Sequence, residues 1–460
     1  MRTLTFLFTG VLIMAFPLVS HGQTDPHDDP KVIPPSPTVA SLMKFADIPV
    51  GLYTGVASVN IPLYELKGSH LSLPISLSYH AGGIRVEEQS SWVGLGWALN
   101  AGGAISRTAK GLRDEAHGGY ITSSSLPADP QIEDFFTEVI NGNLDTEPDI
   151  FFFNFNGRSG KFYLDKKPSA GNVVNGYSIP YQDIRIKCTY APDILSNFSI
   201  TTEDGVEYFF DVLEVTDSKR YQYDVSSSIA GPVLIDAPPP LSQITSWYLK
   251  EIRSPIGDET IVFNYIAEKS KYETTRSGRA SYDAAGRIRS RTMSYNEITS
   301  NTWRLSTITF TRIGATVDFV AGDDRIDLLQ IKSAKSLSQI VIKYGAVPVK
   351  RFELSTSYFI HPMAGQEMQD KRYQFRRLRL DKVTEQTGDQ SESLPPYVFT
   401  YNNIPLPPKN AETQDHWGYY NGPADPLNIY SYYSTSYMIP GYSGQVDNNQ
   451  DKFVYYECTG

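Results

Sequence analysis

From Leu71 to Tyr79, apolar and polar side chains alternate. Leu71, Leu73, Ile75, Leu77 and Tyr79 fall on one side, and Ser72, Pro74, Ser76 and Ser78 on the other. A period of two predicts a β-strand with one face against a core. Pro74 has no N–H for a ladder, so the strand should lie at an edge or be interrupted there. Downstream, Gly82-Gly83, Gly94, Gly96 and Gly102-Gly103 recur beside Trp92 and Trp97. Glycine beside large aromatics predicts tight backbone bends packed under indole rings.

Hairpins follow at short spacing. Phe151–Phe155 and Lys161–Leu164 flank a glycine-containing loop, Asn156 to Gly160. Phe198–Glu203 and Val206–Asp211 flank Asp204-Gly205, a pair suited to a two-residue turn. There Phe198, Ile200 and Thr202 should share a face with Val206, Tyr208 and Phe210. Ser246–Arg253 and Glu259–Ile266 repeat the plan around Pro255 to Asp258, and Leu305–Ile313 and Thr316–Ala321 around Gly314. Helix signals are sparse. Asp129 to Ile140 fits one short helix, with Asp129 as cap, Pro130 in the first turn and Ile132, Phe135, Phe136 and Val139 on one side. The predicted fold is mainly β, with antiparallel hairpins forming sandwich- or shell-like sheets and little helix.

Residues 1–22 read as a signal peptide. Arg2 precedes the apolar stretch Leu4 to Val19, and Ser20 and Gly22 are small residues before a cut ahead of Gln23. Residues 23–40 form a flexible, proline-rich lead-in. The body divides into a Gly/Trp-rich β region (41–122), a hairpin region with the short helix (123–230) and a second β region (231–422). The last of these carries a loop with Pro238-Pro239-Pro240 and a long, mobile Arg/Ser-rich insertion at about 269–300. Residues 423–460 are a Tyr/Ser-rich tail.

Composition agrees with many short strands: 30 tyrosines, 22 phenylalanines, 30 prolines and 34 glycines in 460 residues. A net charge of −10 disfavours nucleic acid as a partner, because phosphate binding needs a cationic face. After signal cleavage no segment is apolar and long enough for a transmembrane helix. Cys188 and Cys458 are far apart and read as two lone thiols.

The pieces GVASVNIPL, LPISLSY and VGLGWALNAGGAISR resemble the opening of secreted Rhs/YD-repeat proteins of Bacteroidetes type. More distantly, they are similar to the SpvB-like region of toxin-complex B components. EPDIFFFNFNGRSGKFYLD (Glu147–Asp165), SWYLKEIRSPIGDETIVFNY (Ser246–Tyr265), RLRLDKVTEQTG, LPPYVFTYN and QDHWGYYNG continue the resemblance, in order, from Ser41 to Gly422. Tyr282 to Ile288 resembles the Y-D-x-x-G-R core of a YD repeat, and Arg220 to Asp224 its front half. The resemblance implies an exported scaffold or shell segment joined to a downstream repeat or effector polypeptide, without catalysis.

The individual chemistry is weak. Asp447 to Asp451 has the first oxygen spacing of a calcium loop, but Lys452 stands where glycine is needed and Cys458 where glutamate is. Gly94-x-Gly96 lacks a third glycine and a βαβ unit, and no histidine pair has zinc spacing. Asp415-His416 are neighbours and, on a strand, would point apart. Asp323, Asp324, Arg325 and Asp327 read as a solvated turn. No catalytic, cofactor-binding or metal residue is assigned. Two other functions stay open: a surface adhesin binding a glycan through Tyr419-Tyr420 or Tyr430 to Tyr437, and a hydrolase using the Asp323–Asp327 carboxylates.

Overall fold

The computed structural model describes residues 35–39, 42, 58–123, 133–166, 172–191, 193–224, 233–234, 241–282, 288–329, 334–362, 369–409, 411 and 417–420. The signal-peptide segment, most of the tail and Asp447 to Asp451 lie outside the described residues.

The chain is mainly β and antiparallel. Strands β1 (Ser58–Lys67), β2 (Ser72–His80) and β3 (Trp97–Asn100) form a small sheet in the order β1-β2-β3. β2 is its central strand, yet β3 pairs only Ser76 to Tyr79 of it. Pro74 therefore faces β1 alone, opposite Glu65, and its missing N–H breaks no second ladder. Leu71, Leu73, Ile75 and Leu77 are buried as the alternation predicts.

The next strands are β4 (Gly103–Thr108), β5 (Ile150–Phe155), β6 (Arg158–Leu164), β7 (Val173–Ile179), β8 (Ile184–Ala191), β9 (Ile194–Thr202) and β10 (Glu207–Asp224). After β11 (Val233–Leu234), a two-residue pairing beside β10, comes β12 (Leu241–Arg253). β4 through β10 pair consecutively. β10 then pairs β12, and β12 pairs β4 through Trp247↔Ile105. The ladder closes on itself as an eight-stranded antiparallel barrel, a size whose interior side chains can fill.

Phenylalanine fills it. Phe151, Phe153, Phe155, Phe162, Phe198 and Phe210 are buried with Trp247. Phe151 stacks on Phe162 at 5.1 Å, and Phe198 meets Trp247 edge-on at 4.9 Å. Burial stabilises by roughly 1.5–3 kcal/mol for each such side chain. Gly160 and Gly176 supply the room. A Cβ at Gly160 would lie 2.8 Å from Phe153, and one at Gly176 3.0 Å from Phe162.

Two turns differ from the expectation, the first tighter and the second one residue longer. Between β5 and β6 only Asn156 and Gly157 turn, with φ of 45° and 75°, the left-handed pair a type I′ hairpin needs. Between β9 and β10 the loop is three residues, Glu203 to Gly205. The Gly205 N–H donates to the Thr202 carbonyl, and Gly205 sits at φ 82°. Across that hairpin Tyr208 faces Ile200 and Phe210 faces Phe198, as the alternation predicts.

Beyond the barrel the sheet continues through β13 (Thr260–Tyr282), β14 (Ile288–Phe310), β15 (Ala315–Asp324), β16 (Lys335–Tyr344), β17 (Val347–Ile360), β18 (Arg376–Thr387) and β19 (Tyr397–Val398). The expected mobile insertion at 269–300 is instead one long β13–β14 hairpin, paired from Ile261↔Phe310 to Tyr282↔Ile288. Tyr272 and Ile298 anchor it by packing with Leu328 and Ala334, and β14 also pairs with the upper half of β10. The small sheet packs on this sheet as a sandwich, sharing one core with the barrel.

The lead-in is corrected at its end. Ser36 and Val39 are buried, not flexible. The buried Glu214 carboxylate draws the segment in, accepting from the Ser36 N–H (2.7 Å), Tyr248 Oη (2.6 Å) and Thr302 Oγ1 (2.7 Å). Besides helical residues 37–39, the α-helix α1 (Glu133–Ile140) lies where predicted, with its proposed cap outside the described residues. Its apolar stripe is not wholly buried, for Phe136 and Ile140 are exposed.

Candidate functional site

The glycine bends occur, but the covering rings differ from the prediction. Gly96 (φ 76°) lies under the ring of Tyr79, where a Cβ would approach to 2.6 Å. A Cβ at Gly94 would lie 2.8 Å from the backbone nitrogen of Leu380, and Gly83 lies under Tyr419. Trp97 instead donates from Nε1 to Tyr401 Oη at 2.9 Å. This segment joins the small sheet to β18, the Leu95 N–H donating to the Leu378 carbonyl at 2.8 Å.

The Asp323–Asp327 turn splits in two. Asp323 and Asp324 are exposed as expected, whereas Arg325 and Asp327 are buried. Arg325 holds Asp327 in a two-point bridge, Nε to Oδ1 at 3.0 Å and Nη2 to Oδ2 at 2.8 Å. Lys409 Nζ donates to the Asp327 carbonyl and to Gln89 Oε1, and the Leu378 N–H to Asp327 Oδ2. Burial acts to raise the Asp327 pKa, but the Arg325 and Lys409 charges outweigh it and hold it down to about 2. Burial moves Lys409 the other way, down to about 7. The carboxylate is committed to Arg325 and the Leu378 N–H of β18, while Arg325 reaches the Ser90 carbonyl and Lys409 the Asp327 carbonyl, so it is engaged in holding these elements together.

A second ionic cluster stops one mouth of the barrel. Arg107, at the end of β4, lies under Trp247 and bridges Glu115 at 2.7 Å and the Ile244 carbonyl at 2.6 Å. Asp114 and Asp149 complete it. Burial, then the Asp149 charge, pushes Asp114 up to about 8. Burial also raises Asp149, to about 6, against the opposing Arg107 charge. Perturbed carboxyls can mark acid–base sites, but structural networks perturb them equally. These are backbone-bonded inside a plug.

The remaining predicted positions are dispersed. Arg220 to Asp224 lies on β10 opposite Thr292 to Asn296, and Tyr282 and Ile288 pair at the hairpin end, with 283–287 outside the described residues. Asp415, His416, Tyr430 to Tyr437 and Cys458 also lie outside them. Tyr419 serves packing, with Arg85 over its ring at 5.8 Å and its hydroxyl donating to the Gly82 carbonyl at 3.0 Å. His361 is buried against Phe375, and Cys188 is a buried thiol whose pKa burial pushes up.

The structure adds a cleft that the sequence reading missed. It lies between the outer face of the small sheet and the outer wall of the barrel at the β5–β6 hairpin, with a volume of about 410 Å³. Asn60, Ser76, Ser78 and Asn100 line one side; Asn154, Asn156 and Ser159 line the other. Ser76, Ser78 and Asn154 form a buried floor, and Asn60, Pro74 and Gly157 an exposed rim. Asn100 Nδ2 donates to Ser78 Oγ at 2.9 Å, and Asn154 Nδ2 to the Leu42 carbonyl at 2.8 Å. None of the described lining residues carries a charge. Ser76 and Ser78 were read only as a strand's polar side. The available signal was the absence of Lys or Glu from that side, since a solvated strand face usually carries some.

No protein-family model matches this chain, and no curated protein is significantly similar to it.

Proposed function

We propose that this chain is an exported, non-enzymatic scaffold, the N-terminal segment of an Rhs/YD-repeat-type polypeptide that carries a downstream repeat or effector region. The observation behind this reading is where the resembling segments fall. VGLGWALNAGG makes the close approach between the small sheet and β18. Glu147–Asp165 contains the β5–β6 hairpin and four of the barrel's phenylalanines. Ser246–Tyr265 spans β12 into β13, the strand pair through which the barrel closes and then continues as open sheet. The resemblance thus maps onto architecture, and the buried ionisable groups on the same elements are engaged in holding loops. A scaffold needs such rigidity and no reacting group.

The size of the native product tests this. An antibody against residues 41–422 should detect, in host cells or medium, a polypeptide several times larger than the 51.4 kDa of this chain. The gene should also read on past codon 460. A stable product at or below 51.4 kDa that persists alone overturns the scaffold reading and makes binding the primary role.

A further inference from the structure

We propose that the cleft between the small sheet and the β5–β6 hairpin binds an uncharged saccharide through the hydroxyls and carboxamides of Ser76, Ser78, Asn100, Asn154 and Asn156. Clefts between packed units are common ligand sites, and about 410 Å³ falls within the range of small-ligand pockets. The lining chemistry narrows the ligand. A charged group entering here would lose water and meet no counter-charge among the described lining residues, which is costly. A purely apolar ligand would strip water from buried Ser76, Ser78 and Asn154 and return no hydrogen bonds. The ligand must therefore be neutral and rich in groups that both donate and accept.

An extended peptide is the other neutral, polar possibility, and the strand pairing argues against it. Peptides gain most of their affinity on sheets by adding to a free edge. Both strands at the centre of this cleft are paired on both sides, β2 with β1 and β3, and β5 with β4 and β6. The cleft offers side chains from strand faces. A carboxamide presents a donor and an acceptor side by side, which matches a pair of neighbouring sugar hydroxyls.

Asn156 points to an unmet need. Its Nδ2 donates to Tyr208 Oη at 3.0 Å, while its Oδ1 is buried with no partner. A buried unsatisfied acceptor costs roughly 1–3 kcal/mol, and a ligand hydroxyl met by rotation of this side chain toward the cleft would remove that cost. The residue is held there by the β5–β6 turn, where φ of 45° favours asparagine or glycine.

The full chain, with folding checked by circular dichroism, should be screened on an array of neutral and acidic oligosaccharides and the hits titrated by calorimetry. Neutral glycans should bind and acidic ones should not. Asn156→Gly keeps the left-handed turn and removes the carboxamide. The double variant Ser76→Ala/Ser78→Ala keeps the strand and removes two hydroxyls. Each should weaken binding about tenfold while the circular dichroism spectrum of the folded parent is retained. An array blank for neutral glycans, binding untouched by both variants, or equal binding of acidic glycans overturns the proposal. None of these outcomes bears on the size of the native product, so this inference and the scaffold reading fail separately.

Discussion

Asp114 and Asp149 accept hydrogen bonds from each other's backbone. The Asp149 N–H donates to Asp114 Oδ1 at 2.9 Å and the Asp114 N–H to Asp149 Oδ2 at 3.2 Å. This reciprocal clasp fastens the loop after β4 to the entry of β5, over the barrel mouth that Arg107 and Glu115 occupy. Burial, with the neighbouring Asp149 charge, disfavours ionisation of Asp114, so the clasp favours its protonated form.

The sign of its pH dependence follows. Folding raises both pKa values above those of the free side chains, Asp114 to about 8. The stabilisation is fully present below the unfolded value near 4 and is lost as pH rises through the folded values. The melting temperature should fall between pH 6 and pH 9, with faster amide exchange in residues 109–123. Asp114→Asn, which mimics the protonated form, should flatten that slope. An identical slope in parent and variant would count against a raised Asp114 pKa.

Glu259 works in the opposite sense. Its carboxylate accepts the N–H groups of Ser69, His70 and Leu71 at 2.7, 2.8 and 2.9 Å, pinning the β1–β2 turn to the start of β13. Burial acts to raise its pKa, but the three donors prevail and hold it below the usual range. Its contribution is present above pH 4.5 and is lost as pH falls through the folded value. Glu259→Gln should cost about 2 kcal/mol at pH 7 and almost nothing at pH 3, read by denaturant unfolding.

Barrel packing gives a double-mutant test. Gly160→Ala would place a methyl group 2.8 Å from the Phe153 ring, an overpacking expected to cost about 1–3 kcal/mol. Phe153→Leu should cost about 1–2 kcal/mol alone through lost contacts. Combined, the two should be less destabilising than their sum by at least about 0.5 kcal/mol. Simple additivity would show that the glycine is not making room for that ring.

The Arg325–Asp327 bridge should matter more than any surface pair. Asp327→Asn removes the charge opposing Arg325 and Lys409 in a buried setting, at an expected cost of about 3–5 kcal/mol. Asp324→Asn, three residues away at the end of β15 and exposed, should stay within about 0.5 kcal/mol. Comparable losses in both would contradict the buried geometry.

What the sequence determined by itself is local. Alternation along Leu71–Tyr79 and Phe198–Phe210 placed the strands and their inward faces, because a strand's period depends only on its own backbone. Asn156-Gly157 and Gly205 marked turns, because only a few residues tolerate positive φ. What only the tertiary structure decided joins distant residues. Trp247 pairs with Ile105 to close the barrel, and Tyr272 with Ile298 turns an Arg/Ser-rich stretch into a packed hairpin. Ser36 finds Glu214 across the chain, so a proline-rich lead-in ends in the core. The cleft is of the same kind. Each serine and asparagine in it reads alone as the polar side of a strand, and only the packing of the small sheet against the barrel wall brings those sides together around a shared space.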